Sequence, residues 1–142
     1  MSILLKIILF IALLGLLVQC NNKAAKANFN KPESVALAFV RAGSAFDFLK
    51  AAEFAEQDLK EVFEAAQTMA ADIPTEEKKK AQKNSKLVKK ADCIVNGNLA
   101  ECFICCDAEG KKSPQPVQLK KIDGRWLVYI NKENRDETAP ND

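Results

Sequence analysis

The apolar positions of this chain fall into three regimes, and each predicts a different kind of segment. The first is a nearly continuous run: Ile7 to Val18 reads IILFIALLGLLV, directly after Lys6. About a dozen apolar residues behind a short, weakly basic start have the form of a secretory signal peptide. Counted back to Ile3, the run is interrupted by Lys6 and falls short of the roughly 20 residues that span a bilayer, which favours an export signal over a transmembrane anchor. Asn21 to Asn28 is polar and alanine-rich without apolar periodicity, which suits a flexible tether.

The second regime is helical. Val35, Phe39, Ala42 and Phe46 recur at i, i+4, i+7 and i+11, a single stripe on a helix. Asn30 suits its N-cap, Pro32 its first turn, and Glu33 a capping box. Gly43-Ser44 loosens its end, and Asp47 opens a shorter stretch carrying Phe48, Leu49, Ala52 and Ala55. A third stripe is formed by Leu59, Val62, Phe63, Ala66, Met69, Ala70 and Ile73, with Glu56, Asp58, Lys60, Glu61 and Glu64 covering the remaining surface. Pro74 ends it, and Thr75 can cap a polar turn or loop over Glu76 to Lys80.

After Leu87 the period becomes two. Leu87 to Val95 and Leu99 to Cys106 flank Asn96-Gly97-Asn98, a hairpin signal. Val117 and Leu119, then Trp126, Val128 and Ile130, alternate around Asp123-Gly124, which tolerates the positive φ of a tight turn. Pro114 and Pro116 mark the loop between the hairpins, since they cannot donate to a ladder. Helices followed by a four-strand antiparallel meander predict an α+β domain with N-terminal helices packed on the sheet. The chain thus divides into a signal peptide over 1–19, a tether over 20–30, the α+β domain over 31–131 and a polar tail over 132–142.

Composition narrows the chemistry. The chain has 142 residues, and about 120 remain once the leader is set aside, enough for one domain core. With 21 basic and 19 acidic side chains the net charge is +2, so no global field points to nucleic acid. Seven lysines crowd Lys78 to Lys90. They could attract anionic head groups or a polyanion, but no aromatic residue interleaves with them as a nucleic-acid platform requires. A solvated helix and an exposed strand are the favoured account of them. Histidine is absent, which removes the usual general base, the usual partner of a Ser or Cys nucleophile, and the commonest ligand of catalytic zinc.

Five cysteines remain. Leu17-Val18-Gln19-Cys20 resembles a bacterial lipobox, in which a cysteine directly after the apolar run receives a diacylglyceryl group and becomes the mature N-terminus. Gln19 departs from the usual Gly, Ala or Ser. The alternative is an incidental thiol near an ordinary cleavage site, but no small-x-small site follows the run before Asn21-Asn22-Lys23. A lipidated Cys20 bearing palmitate-type chains would anchor the protein to a membrane facing the periplasm or cell surface, stably so with more than one chain.

Cys93, Cys102, Cys105 and Cys106 lie in the first hairpin. With Gly97-Asn98 as the turn, Cys93 faces Cys102 at a non-hydrogen-bonded position, where Cα atoms are about 4.5 Å apart and a disulfide can form. With Asn96-Gly97 as the turn, Cys93 faces Ala100 instead. A four-cysteine metal site is disfavoured, because Cys102 and Cys106 share a strand face while Cys105 points away and the spacing is not that of paired C-x-x-C modules. Cys102-x-x-Cys105 sits mid-strand rather than at a helix N-terminus, which disfavours a redox role. The reading that leads, ahead of the Cys93–Cys102 bridge, is that most of these cysteines are small buried hydrophobes.

Pro32-Glu33-Ser34-Val35, Phe46-Asp47 with Ala51 and Phe54, Val95-Asn96-Gly97-Asn98-Leu99-Ala100, and Leu119-Lys120-Lys121-Ile122-Asp123-Gly124-Arg125-Trp126 occur in this order. Over Lys31 to Asn131 the chain resembles small bacterial lipoproteins of unknown function with a nuclear-transport-factor-2-like (cystatin-like) domain. The resemblance implies a curved sheet wrapped around helices, a cone with an open apolar mouth. That superfamily includes isomerase- and dehydratase-like enzymes and also proteins that only bind or dimerise, so the fold does not give a function. Its isomerases need an Asp base with Tyr and acidic donors inside the cone. Tyr129 is the sole tyrosine here, and no matched motif places Asp92 or Asp107 in the cone.

These readings lead to an expectation of an exported, lipid-anchored, non-enzymatic binding or scaffolding module. Its partners are the membrane and a small apolar ligand or a protein. Phe103, Trp126 and Tyr129 are the pocket or interface candidates, and no catalytic residue, cofactor, metal or nucleic-acid partner is assigned. A small-pocket isomerase or lyase is the alternative and requires a buried carboxylate among Asp47, Asp92, Glu101 and Asp107. A thiol or metal carrier is the third reading.

Overall fold

In the computed structural model, which describes residues 26–105 and 112–131, four helices precede four strands. Helix α1 spans Pro32–Ser44 with proline in its first turn, where the missing N–H costs nothing. Its N-cap is Lys31 rather than Asn30, and no side chain caps it. The Asn30 amide is engaged locally instead, donating to Asn28 Oδ1 at 3.0 Å.

Phe46 does not extend the stripe of α1, contrary to the i+11 spacing. The Phe46 N–H donates to the Gly43 carbonyl at 3.0 Å and the Asp47 N–H to the Ala42 carbonyl at 3.0 Å. These two bonds form a Schellman motif with Phe46 in the left-handed position at φ 59°, a place usually taken by glycine. Asp47 then caps α2, Phe48–Ala52, by accepting the Lys50 N–H at 3.1 Å. Gln67 Oε1, on α3 (Gln57–Ala70), accepts the Phe48 and Leu49 N–H groups at 2.8 and 3.2 Å. The unpaired donors that open α2 are thus satisfied by side chains, which holds so short a helix against α3.

Leu59 and Ala70 of α3 are buried, and Phe63 packs edge-on against Phe39 of α1 with ring centroids 5.5 Å apart. The apolar face of α3 is wider than its cover: Val62 and Met69 are 59% and 77% exposed. After Pro74, Thr75–Ser85 forms a full helix, α4, rather than a short turn, and buries Ser85. The turn continues through Leu87 and Val88, whose amides donate to the Asn84 and Ser85 carbonyls. The first strand therefore starts three residues later than its alternating pattern.

The strands β1 (Lys90–Asn96), β2 (Leu99–Cys105), β3 (Val117–Ile122) and β4 (Arg125–Val128) pair antiparallel in that order, an open four-strand meander. Gly97 at φ 59° opens a Gly97-Asn98 turn of the II′ kind, while Asp123 and Gly124, both at positive φ, form a I′ turn. Register places Ala91, Cys93, Cys102, Ile104, Ala100, Leu119, Val128 and Trp126 on the face toward the helices. Leu119, Cys102 and Val35 of α1 are completely buried where the two layers meet. The result is an α+β fold of helices on an antiparallel sheet.

The outer edge of β4 is covered by backbone. Trp126 N–H donates to the Phe29 carbonyl at 2.9 Å, Val128 N–H to Phe54 at 2.8 Å, and Glu56 N–H to Val128 at 2.9 Å. A sheet edge so engaged cannot template another strand. Ala27 and Phe29 pack against the core, so the packed domain begins ahead of Lys31.

Candidate functional site

One end of the helix–sheet layer stays open between the first half of α3 and the ends of β3 and β4. The gap is an apolar groove of about 670 Å³. One wall is Phe39 of α1 with Leu59 and Phe63 of α3; the other is Val117, Val128 and the residues after β4, Tyr129 and Ile130. The Phe39–Phe63 ring pair fixes the helical wall, and a hydrogen bond from Tyr129 N–H to the Gln118 carbonyl at 3.1 Å fixes the sheet wall. Gln115, Gln118 and Asn131 supply polar groups at the rim. Among the described residues, Tyr129 is the only ionisable side chain lining the groove. A pocket of this kind, apolar with a few amide groups at its mouth, suits an apolar ligand held by burial.

The three aromatic candidates do not come together. Tyr129 lines the groove, whereas Trp126 is 4% exposed within the core, opposite Lys121, whose Nζ lies 5.7 Å from its ring centroid. Phe103 alternates to the outer face of the sheet, paired with Asp92 across β1. Strand alternation separates the side chains of Phe103 and Trp126 by a whole sheet thickness. The groove's helical wall was hidden in the sequence, because Phe39, Leu59 and Phe63 sit on stripes whose spacing reads only as core.

The carboxylates are elsewhere. Asp47 is exposed and caps α2, and Glu101 is exposed on the outer face opposite Ile94. Asp92 lies on that outer face between Lys90 and Lys112, with Nζ–O distances of 2.8 and 3.2 Å. The Lys90 hydrogen bond, followed by that of Lys112, holds its carboxyl below the usual aspartate value of 3.8. The fold favours the charged form, so this contribution is present above the usual value and is lost as pH falls through the lower folded one. A carboxyl-carbon titration followed by NMR should give Asp92 a midpoint below 3.8, with Lys90→Ala raising it more than Lys112→Ala. A wild-type midpoint at the ordinary value would show that neither lysine engages it in solution.

Cys93 and Cys102 form a disulfide across the first hairpin, with Cα atoms 4.0 Å apart and Gly97-Asn98 as the turn. Cys105, on the opposite face, is disulfide-bonded as well, so none of the three described hairpin cysteines is a free thiol. Among the described residues no group of three or more His, Cys, Asp or Glu side chains could hold a metal ion. No helix of the described residues is long and apolar enough to cross a membrane. Cys20, Cys106 and Asp107, with the segments expected to be a signal peptide over 1–19 and a polar tail over 132–142, lie outside the described residues. No family model matches the chain, nor does any curated protein or solved structure.

Proposed function

We propose that this chain is an exported, lipid-anchored bacterial protein whose folded domain, nuclear-transport-factor-2-like in character, is a non-enzymatic module that binds a small apolar ligand or an apolar segment of a protein. The observation that carries the binding role is the groove itself: about 670 Å³, walled by Phe39, Leu59, Phe63, Val117, Val128 and Ile130, with Tyr129 as the only ionisable lining residue among the described residues. Burial of apolar surface in such a site contributes roughly 25 cal/mol per Å² and needs no reacting group. The enzyme alternative requires a carboxylate facing the ligand, and Asp47, Asp92 and Glu101 occupy other surfaces.

Two sequence features support the destination. The apolar run from Ile7 to Val18 followed by Cys20 has the form of a lipoprotein signal, and a hairpin disulfide of the Cys93–Cys102 kind persists in oxidising compartments. Cys20 is the lipidation residue, and its acyl chains hold the domain at a membrane surface through the residues that follow it.

Groove binding is tested with an environment-sensitive, uncharged apolar dye, N-phenyl-1-naphthylamine, titrated into the exported protein. Ile130 is 47% exposed at the rim, so Ile130→Lys leaves the fold intact and places an ammonium against the apolar walls. The expected result is about tenfold weaker dye binding. Ile94→Lys, on the opposite sheet face, should leave binding unchanged. Equal affinities in wild type and Ile130→Lys would remove the groove from consideration.

A further inference from the structure

We infer that α4 and the turn after it form a second membrane contact, specific for a surface of anionic phospholipid head groups. The inference rests on the export-and-anchor reading only for bringing the domain near a bilayer. From Thr75 to Lys90 the chain carries seven lysines against two glutamates, a local excess of five positive charges in a chain whose net charge is +2. Read as sequence, the segment could have been a loop with lysines pointing in all directions. As an eleven-residue helix it sorts them.

The face of α4 toward the rest of the domain carries Ser85, which is buried, and the half-buried Lys78 and Ala81. Lys79, Lys83 and Lys86 recur at i, i+4 and i+7, in line on the exposed side, with Lys80 beside them. Lys79 pairs with Glu76 at 3.0 Å, but both side chains are largely exposed, so that pair is weak. Among the described residues no acidic group pairs with Lys80, Lys83, Lys86 or Lys89. Leu87, 50% exposed, stands immediately after this stripe. Basic residues along one helix face with an exposed leucine at its end match a head-group layer over a shallow apolar boundary. A nucleic-acid groove would call for aromatic stacking residues among the lysines, and there are none from Thr75 to Lys90.

The tether permits both contacts at once. Seven residues from Cys20 to Ala27, where packing on the core begins, reach at most about 25 Å, and α1, which separates this end of the domain from the Arg41 Nε–Val88 carbonyl bond of 2.7 Å near the basic turn, is about 20 Å long. An acyl anchor and a basic patch acting together give the two-signal attachment that a single chain does not provide.

The test uses full-length protein reconstituted in vesicles of phosphatidylcholine alone or of phosphatidylcholine with phosphatidylglycerol. Lysine reactivity toward a water-soluble acetylating reagent is then read by peptide mass spectrometry. On the anionic vesicles Lys79, Lys83 and Lys86 should be protected about fivefold or more, reversibly by salt, while Lys120 on the outer sheet face is unaffected. The exposed-site variant Lys79→Glu/Lys83→Glu/Lys86→Glu, with unchanged circular dichroism, should lose the remaining protection at Lys80 and Lys89. Equal reactivity on the two vesicle types overturns the inference, as does protection by a soluble RNA oligomer without protection by anionic vesicles. The readout does not depend on whether an acyl chain or an uncleaved leader attaches the protein, so absence of lipid at Cys20 and failure of the α4 contact are separate results.

Discussion

Trp126→Ala is expected to lower the free energy of unfolding by about 4 kcal/mol. The ring is 4% exposed on the helix-facing side of β4, within the same cluster as Val35, Phe54 and Leu119. Truncation leaves a void that the surrounding strands cannot collapse into, because Trp126 N–H is tied to the Phe29 carbonyl and Val128 to Phe54 and Glu56. It also removes the ring beneath the Lys121 ammonium. Tyr129, half-buried on the groove wall, should cost about 1–2 kcal/mol as Tyr129→Ala, since one side of it already faces open space. Urea unfolding followed by far-ultraviolet circular dichroism gives both values without relying on the single tryptophan. Equal losses for the two variants would contradict the assignment of Trp126 to the core and Tyr129 to the groove.

The second large effect concerns the hairpin disulfide. The variant Cys93→Ala/Cys102→Ala should lose about 2.5 kcal/mol, the loop-closure value for cysteines nine residues apart. For a domain of this size that lowers Tm by about 10 °C or more. Alanine at both positions is the appropriate choice, because Cys102 is completely buried and a serine hydroxyl there would add its own desolvation cost. Calorimetry of the variant beside the oxidised wild type measures the difference. Reductant alone is a poorer probe, since Cys105 is also disulfide-bonded. A Tm unchanged by the double substitution would mean that the bridge constrains nothing the turn does not already constrain.

The sheet was the most legible part of the sequence. Alternation at Val117, Leu119, Trp126 and Val128, and the glycines at 97 and 124, are local signals that act through backbone geometry, and the strands follow them closely. The helices were legible in kind but not in extent. Phe46 has the spacing of a core residue, yet it occupies a left-handed cap without glycine, which periodicity cannot register. Leu87 alternates with its neighbours but belongs to the turn that closes α4, because the hydrogen bonds to Asn84 and Ser85 outweigh a weak strand preference. The groove was legible least of all. Phe39 and Phe63 have the same pattern whether a helix face is wholly covered or left open at one end, and only the tertiary arrangement decides. For the same reason Phe103 and Trp126 could be named as site candidates but not sorted between faces until the register was known.

The groove and the basic helix acquire a biological setting from the N-terminal segment, so the most direct measurement concerns Cys20. Intact-mass spectrometry of the protein recovered from a bacterial host expressing the full chain should show an N-terminus at Cys20 carrying a diacylglyceryl adduct, and Cys20→Ala should abolish that species. A mature chain that begins elsewhere, or that begins at Cys20 without added lipid, would contradict the account.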